Sequence, residues 1–129
     1  MQTFFVRLTT ILCAVLSSVI IPENARAAEE PIIQIARFVA SPGREEELEA
    51  RLIKTVAHVH KTEPGLTYRL FRSKDNPAMF IFYEVYPSKA ALDFHRNVSI
   101  AEFRKEHGLM PEGVLARAIE VEVFVAVPE

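Results

Sequence analysis

Glu84 and His95 are the two residues of this chain best suited to proton chemistry. The stretch 80–97 reads FIFYEVYPSKAALDFHRN. An aromatic, β-rich run is interrupted by one carboxylate, Glu84. A helix start follows, and that helix carries His95 at helical spacing from Ala91, Leu92, Phe94 and Val98. An imidazole turned toward an apolar interior titrates near neutrality and can take a proton from a bound phenol. A carboxylate behind it can hold its orientation. Both residues also suit purely structural roles. A packed histidine can satisfy its nitrogens internally, and Glu84 can ion-pair with Arg69 or Arg72.

Other side chains fit a pocket around them. Tyr68, Tyr83 and Tyr86 can hydrogen-bond a phenolic oxygen. Phe82, with Phe38, Phe71, Phe80 and Phe94, can supply apolar walls, although aromatics at these spacings also serve as core. His60 follows Ile53, Val56 and Ala57 at helical spacings and is expected beside the buried stripe. His58 follows Arg51, Lys54 and Thr55 and is expected in solvent. His-x-His on a helix points its two rings about 200° apart, so the pair does not chelate, and no metal site is expected. Arg37 and Arg69 lie within strand patterns. An inward arginine there can stabilise an oxyanion; an outward one pairs with Glu84, Glu120 or Glu122. There is no G-x-S-x-G, no P-loop and no dinucleotide fingerprint.

The elements that must position these residues are punctuated clearly. Pro31–Ala40 reads as a strand, ended by Ser41-Pro42-Gly43. Arg44–Thr62 reads as a helix. It has three glutamates at its start, a stripe of Leu48, Leu52, Val56 and Val59 flanked by Ile53 and Ala57, and a stop at Glu63-Pro64-Gly65. Leu66–Arg72 and Ala78–Tyr86 are strands joined by the turn SKDNP, hence an antiparallel hairpin. Ser88 caps a second helix running to about Asn97. A shorter helical turn spans Ser99–His107, and Leu115–Val127 is a final strand. The order β-α-β-β-α-β is the α+β, ferredoxin-like arrangement, with helices on one face of a four-stranded antiparallel sheet. Such a sheet ordinarily alternates apolar and polar residues, because its second face meets water. Here Met79, Ile81, Tyr83 and Val85 oppose Phe80 and Phe82, and both sets are apolar. A second copy of the chain, packed sheet to sheet as a homodimer, is the expected cover.

The first residues stand apart. MQTFFVR carries one basic residue, LTTILCAVLSSVII is apolar, and Ala25-Arg26-Ala27 places small residues where a signal peptidase reads them. Residues 1–27 are expected to be a signal peptide, and 28–129 a single exported domain, periplasmic or secreted, with no stable membrane insertion after cleavage. Taking 27 from 129 residues leaves 102, enough for one core. The single cysteine, Cys13, leaves with the leader, so the domain has no disulfide or thiol chemistry. Loss of Arg7, Arg26 and Glu23 moves the formal net charge from −2 to −3, and nothing basic points to nucleic acid.

Several of these segments together resemble the antibiotic-biosynthesis monooxygenase (ABM) domain family, which includes small quinol monooxygenases. The residues that carry the resemblance are Glu63-Pro64-Gly65, Tyr68, Arg72, Asp75, Pro77, Phe82-Tyr83-Glu84, Tyr86, Ala90-Ala91-Leu92 and His95. It implies a dimeric α+β barrel with a pocket between sheet and helices. It also implies oxygenation of a small quinol or phenol by O2 with no metal or organic cofactor, with His95 and Glu84 as catalytic candidates. Tyr68, Tyr83, Tyr86, His60, Phe82 and Arg69 would be substrate-binding. Two positions depart from the family pattern: Ile100 stands where many members have a second histidine, and Tyr86 where many have tryptophan. Two other readings stay open, an isomerase of a small phosphorylated or carbonyl compound and an exported dimeric binding module without catalysis.

Overall fold

The computed structural model describes residues 29–129, and the expected leader, 1–27, lies outside them. Strands β1 (Ile32–Val39), β2 (Thr67–Arg72), β3 (Met79–Tyr86) and β4 (Glu120–Val125) form one sheet in the order β2-β3-β1-β4, every pair antiparallel. Helix α1 (Glu45–Thr62) links β1 to β2. The β3–β4 connection is a helical rod: α2 (Lys89–Phe94), a π-helical turn (His95–Ser99) and α3 (Ile100–His107). The fold is therefore the expected ferredoxin-like α+β sandwich.

Local chemistry explains the punctuation. The Ser88 side chain accepts a hydrogen bond from the Ala91 backbone N–H and caps α2. In the β2–β3 turn the backbone N–H of Asn76 donates to Ser73 Oγ, and that of Ala78 to Asn76 Oδ1. Two helical segments were expected after β3. They are continuous, because a π turn widens the coil at His95–Ser99 rather than ending it. The last strand is shorter than the expected Leu115–Val127. Leu115 makes only an isolated bridge to Ala40, and the ladder resumes at Glu120.

Strand alternation sorts the sheet into two faces. Gln34, Ala36 and Phe38 of β1 and Phe80, Phe82, Glu84 and Tyr86 of β3 are buried under the helices. The Phe38 and Phe82 rings meet edge to face with centroids 5.2 Å apart, and the Tyr68 ring centroid lies 4.7 Å from that of Phe82. The buried side of α1 is Leu48, Leu52, Thr55 and Val59, rotated from the expected stripe; Ile53 is 54% exposed and Ala57 is also exposed. The reason is that α1 packs on two things at once, the sheet and α3. Arg51 on its flank lies over the Phe103 ring at 4.5 Å and donates to the carbonyls of His107 and Gly108. Gly108, with φ of 79°, turns the chain there at little steric cost.

Candidate active site

A cavity of 740 Å³ opens between the inner face of the sheet, α1 and the helical rod. The register of the sheet builds its floor. Gln34, Glu84 and Tyr68 lie opposite one another in successive strands, and Val121, Ala36 and Phe82 form the next row. Helix α1 covers one side with Leu52 and Thr55, and the rod covers another with His95, Ile100 and Phe103. The volume matches a small organic ligand, and the lining is mostly apolar with a few convergent polar groups.

His95 sits at one end of this cavity and is 4% exposed. Its ring is flanked by those of Tyr68 and Tyr86, each with a centroid 5.3 Å away. Nδ1 is 2.8 Å from Glu63 Oε1. With a carboxylate oxygen opposite it, Nδ1 carries the hydrogen and donates. Nε2 has no hydrogen-bond partner among the described residues, yet no fully buried side-chain nitrogen or oxygen among them lacks one. Nε2 is thus in contact with the open space that His95 lines. The same reasoning places the Tyr68 hydroxyl at that space. Burial pulls the His95 pKa below its ordinary value, the Glu63 carboxylate pulls it back upward, and Arg96 adds to the lowering.

Glu84 lies on the inner face and is 1% exposed. It belongs to a separate network. Its Oε2 accepts a hydrogen bond from Gln34 Nε2 at 2.6 Å and another from the Tyr86 hydroxyl. Gln34 Oε1 in turn accepts from Arg96 Nη2. Burial raises the carboxyl pKa to about 7, against the opposing pull of its two donors and Arg96. Burial and Glu84 together push the Tyr86 hydroxyl far above its ordinary value, and Tyr68 is raised likewise. Both tyrosines therefore stay neutral donors at physiological pH.

Glu84 as the carboxylate orienting His95 is corrected: Glu63 does so. In the sequence Glu63 stood out as part of the helix stop and of the family resemblance, with no chemical role. It is the C-cap residue of α1, where its side chain reaches the start of the π turn. Tyr68 and Phe82 line the cavity with His95, whereas Tyr86, expected there too, is fully buried with its ring against His95 and its hydroxyl on Glu84. Tyr83 and Arg69 do not line the cavity. They lie opposite each other on the outer face, because odd-numbered positions of β3 and β2 point away from the helices. Arg69 stacks on Phe71 there, and Arg37, also outer, pairs with Glu120 at 3.0 Å. The two α1 histidines are exchanged relative to expectation. His60 is exposed and bonds the Tyr68 backbone oxygen through Nε2; the half-buried His58 bonds the Ser99 oxygen and packs on Phe103. Phe94 and Val98 do not share the inner face with His95. They are 44% and 38% exposed, whereas Leu92 and Ser99 are buried beside it.

Residues 31–105 match the family model for antibiotic biosynthesis monooxygenase, ABM. An uncharacterized protein of Synechocystis is 31% identical over 74 residues, 57% of this chain and 50% of that protein. The chain thus spans about half the length of the curated relative it matches. Among solved structures, a Pseudomonas aeruginosa protein is similar with a TM-score of 0.63 at 25% identity, over 78% of this chain and 98% of its own. A Mycobacterium tuberculosis protein gives 0.60 at 30% identity, over 77% and 97%. A Shewanella oneidensis protein gives 0.63 at 29%, over 76% and 92%. With the family model covering more than half its length, on the expected fold, this chain belongs to the antibiotic biosynthesis monooxygenase (ABM) family.

Proposed function

We propose that the protein is a monooxygenase that oxidises a small quinol or phenol with O2, with His95 as the base. The observation that carries this reading is the state of His95. It is buried, fixed through Nδ1 by Glu63, and presents Nε2 to an apolar cavity between two neutral tyrosines.

The chemistry follows from those groups and the substrate. A quinol O–H lies against His95 Nε2, which takes its proton as the ring becomes an anion. The imidazolium is held by Glu63, and the Tyr68 hydroxyl donates to the developing oxyanion. The anion passes one electron to O2, and the resulting pair recombines to form a C–O bond at a ring carbon. The proton of that C–H then passes to the outer peroxide oxygen as the carbon becomes C=O and the O–O bond breaks. Hydroxide leaves and takes the proton from His95 as water. Quinol and O2 become hydroxyquinone and one water, so the substrate supplies all four electrons. The apolar walls limit water around the radical pair. Metal and organic cofactors have no part in this scheme.

Oxygen uptake by the purified protein, in chelator and with a panel of quinols and naphthols, tests it. Uptake above autoxidation that disappears in His95→Ala is expected. A folded protein giving no uptake with any of them would overturn the reading and leave a binding role for the cavity.

The outer sheet face supports a homodimer as the working form. Ile33, Ile35, Ile81, Val85 and Phe124 share that face, and no described element covers it. Light scattering that returns a monomer at micromolar concentration would defeat this. Export belongs to the same proposal, because a quinol-oxidising domain outside the cytoplasm faces the membrane that holds quinols; N-terminal sequencing of the exported protein checks cleavage near Ala27.

A further inference from the structure

The cavity has a second polar feature that proton abstraction does not use. Arg51 of α1 and Arg104 of α3 line it at the end away from His95, and Arg96 lines it near Gln34. The other end is remote: nine residues of helical rod separate His95 from Arg104, a rise of about 13 Å. These arginines differ from most others in the fold. Arg37, Arg44, Arg72 and Arg117 each pair with a glutamate. Arg51, Arg96 and Arg104 have no ion-pair partner among the described residues. Arg69 also has none, but it lies on the outer face.

The Arg51–Arg104 pair is held by design of the packing and not by attraction. Arg51 is fixed by the His107 and Gly108 carbonyls and by the Phe103 ring. Arg104 follows Phe103 in the same helix, so anchoring Phe103 brings a second positive charge to the first. Burial first, and then the neighbouring Arg104 charge, lower the Arg51 pKa. Two cations lining one largely apolar cavity, neither of them ion-paired among the described residues, are a site for a ligand's anion.

We propose that the substrate of this cavity is an elongated aromatic acid, its hydroxyl on His95 Nε2 and its carboxylate between Arg51 and Arg104. This rests on the monooxygenase reading for the hydroxyl end and extends it to the other. The rings occupy the apolar middle, against Phe82, Ile100 and Phe103. A neutral quinol fills only the His95 end and leaves the guanidinium pair to water. The carboxylate therefore sets both affinity and register, and turns the reacting ring toward the base.

Binding to the full protein, followed by calorimetry, tests this with three probes: 2-naphthol, 6-hydroxy-2-naphthoate and 2-naphthyl phosphate. The acid is expected to bind about tenfold or more tightly than the naphthol, the increment of a charge-assisted contact. Arg104→Gln, an exposed residue without a hydrogen bond of its own, should remove most of that difference and leave 2-naphthol binding unchanged. Arg51→Gln should do the same, with circular dichroism confirming its fold. Equal binding of acid and naphthol, unaffected by either variant, would overturn the anion site while leaving the aromatic pocket intact. Tighter binding of the phosphate than the carboxylate would overturn the carboxylate assignment. Failure of all three probes would defeat the aromatic reading itself.

Discussion

Glu63 Oε1 lies 2.8 Å from His95 Nδ1, joining the end of α1 to the first residue of the π turn. This one contact settles which imidazole nitrogen faces the cavity. It also places a negative charge where the imidazolium will form. Glu63→Gln keeps a hydrogen-bond acceptor but removes that charge, so the His95 pKa should fall further below its ordinary value. Long-range proton–nitrogen spectra of the His95 ring across pH would show the midpoint moving down. Oxygen uptake should fall about tenfold or more in kcat, with KM changing less, because the charge acts on the protonated state and not on the bound quinol. A midpoint unmoved in the variant would mean that Glu63 only fills space.

Glu84 makes stability depend on pH. Its carboxyl is pushed up by burial to about 7 in the fold, against an ordinary value of 4.5. The folded state therefore binds this proton more tightly than the unfolded chain. The stabilisation is complete below about pH 4.5 and is lost as pH rises through 7. Between pH 5 and pH 8 the loss amounts to roughly 2–3 kcal/mol at 1.36 kcal/mol per unit. Glu84→Gln resembles the protonated acid and should abolish that slope. Urea denaturation at both pH values would show wild type losing stability relative to the variant. Parallel pH dependence in the two proteins would contradict the assignment.

Tyr86 is the bridge between the two networks, with its ring against His95 and its hydroxyl on Glu84. Tyr86→Phe keeps the ring and removes the donor, which favours the carboxylate form of Glu84. The Glu84 pKa should rise above about 7, and a carbon-13 titration of the carboxyl would read it. The His95 environment should change little. If the His95 midpoint moves as far as that of Glu84, the two groups titrate as one unit.

The architecture was legible because its signals are local. Proline-glycine stops, the Ser88 cap and the SKDNP turn each act through a few neighbouring residues, and every element except β4 starts within a residue or two of its expected position. Period-two alternation also assigned Phe80 and Phe82 correctly against Ile81 and Tyr83. The site was less legible because it depends on tertiary choices. Whether Glu84 or Tyr83 faced the helices followed from strand phase, yet which face the helices cover cannot be read from phase alone. Glu63 was hidden by its role in ending α1. The His58–His60 exchange arose because α1 is buried on two sides, and one apolar stripe describes only one of them. Arg51 and Arg104 carried no signal at all, being ordinary charges until Phe103 brings their helices together.

Phe103 is the side chain on which that last arrangement depends. It is 3% exposed, lies beneath the Arg51 guanidinium at 4.5 Å, and meets His58 at 5.4 Å and His107 at 4.7 Å. Truncation to alanine removes the ring that joins α3 to α1 and should cost about 3–5 kcal/mol. Ile53, on the exposed side of the same α1 helix, should cost less than about 1 kcal/mol as Ile53→Ala. Phe103→Leu separates packing from position. It retains most of the buried volume but not the flat face under Arg51, so stability should fall by about 1–2 kcal/mol while affinity for 6-hydroxy-2-naphthoate falls toward that of 2-naphthol. Unchanged acid affinity in Phe103→Leu would show that Arg51 is held by the His107 and Gly108 carbonyls alone.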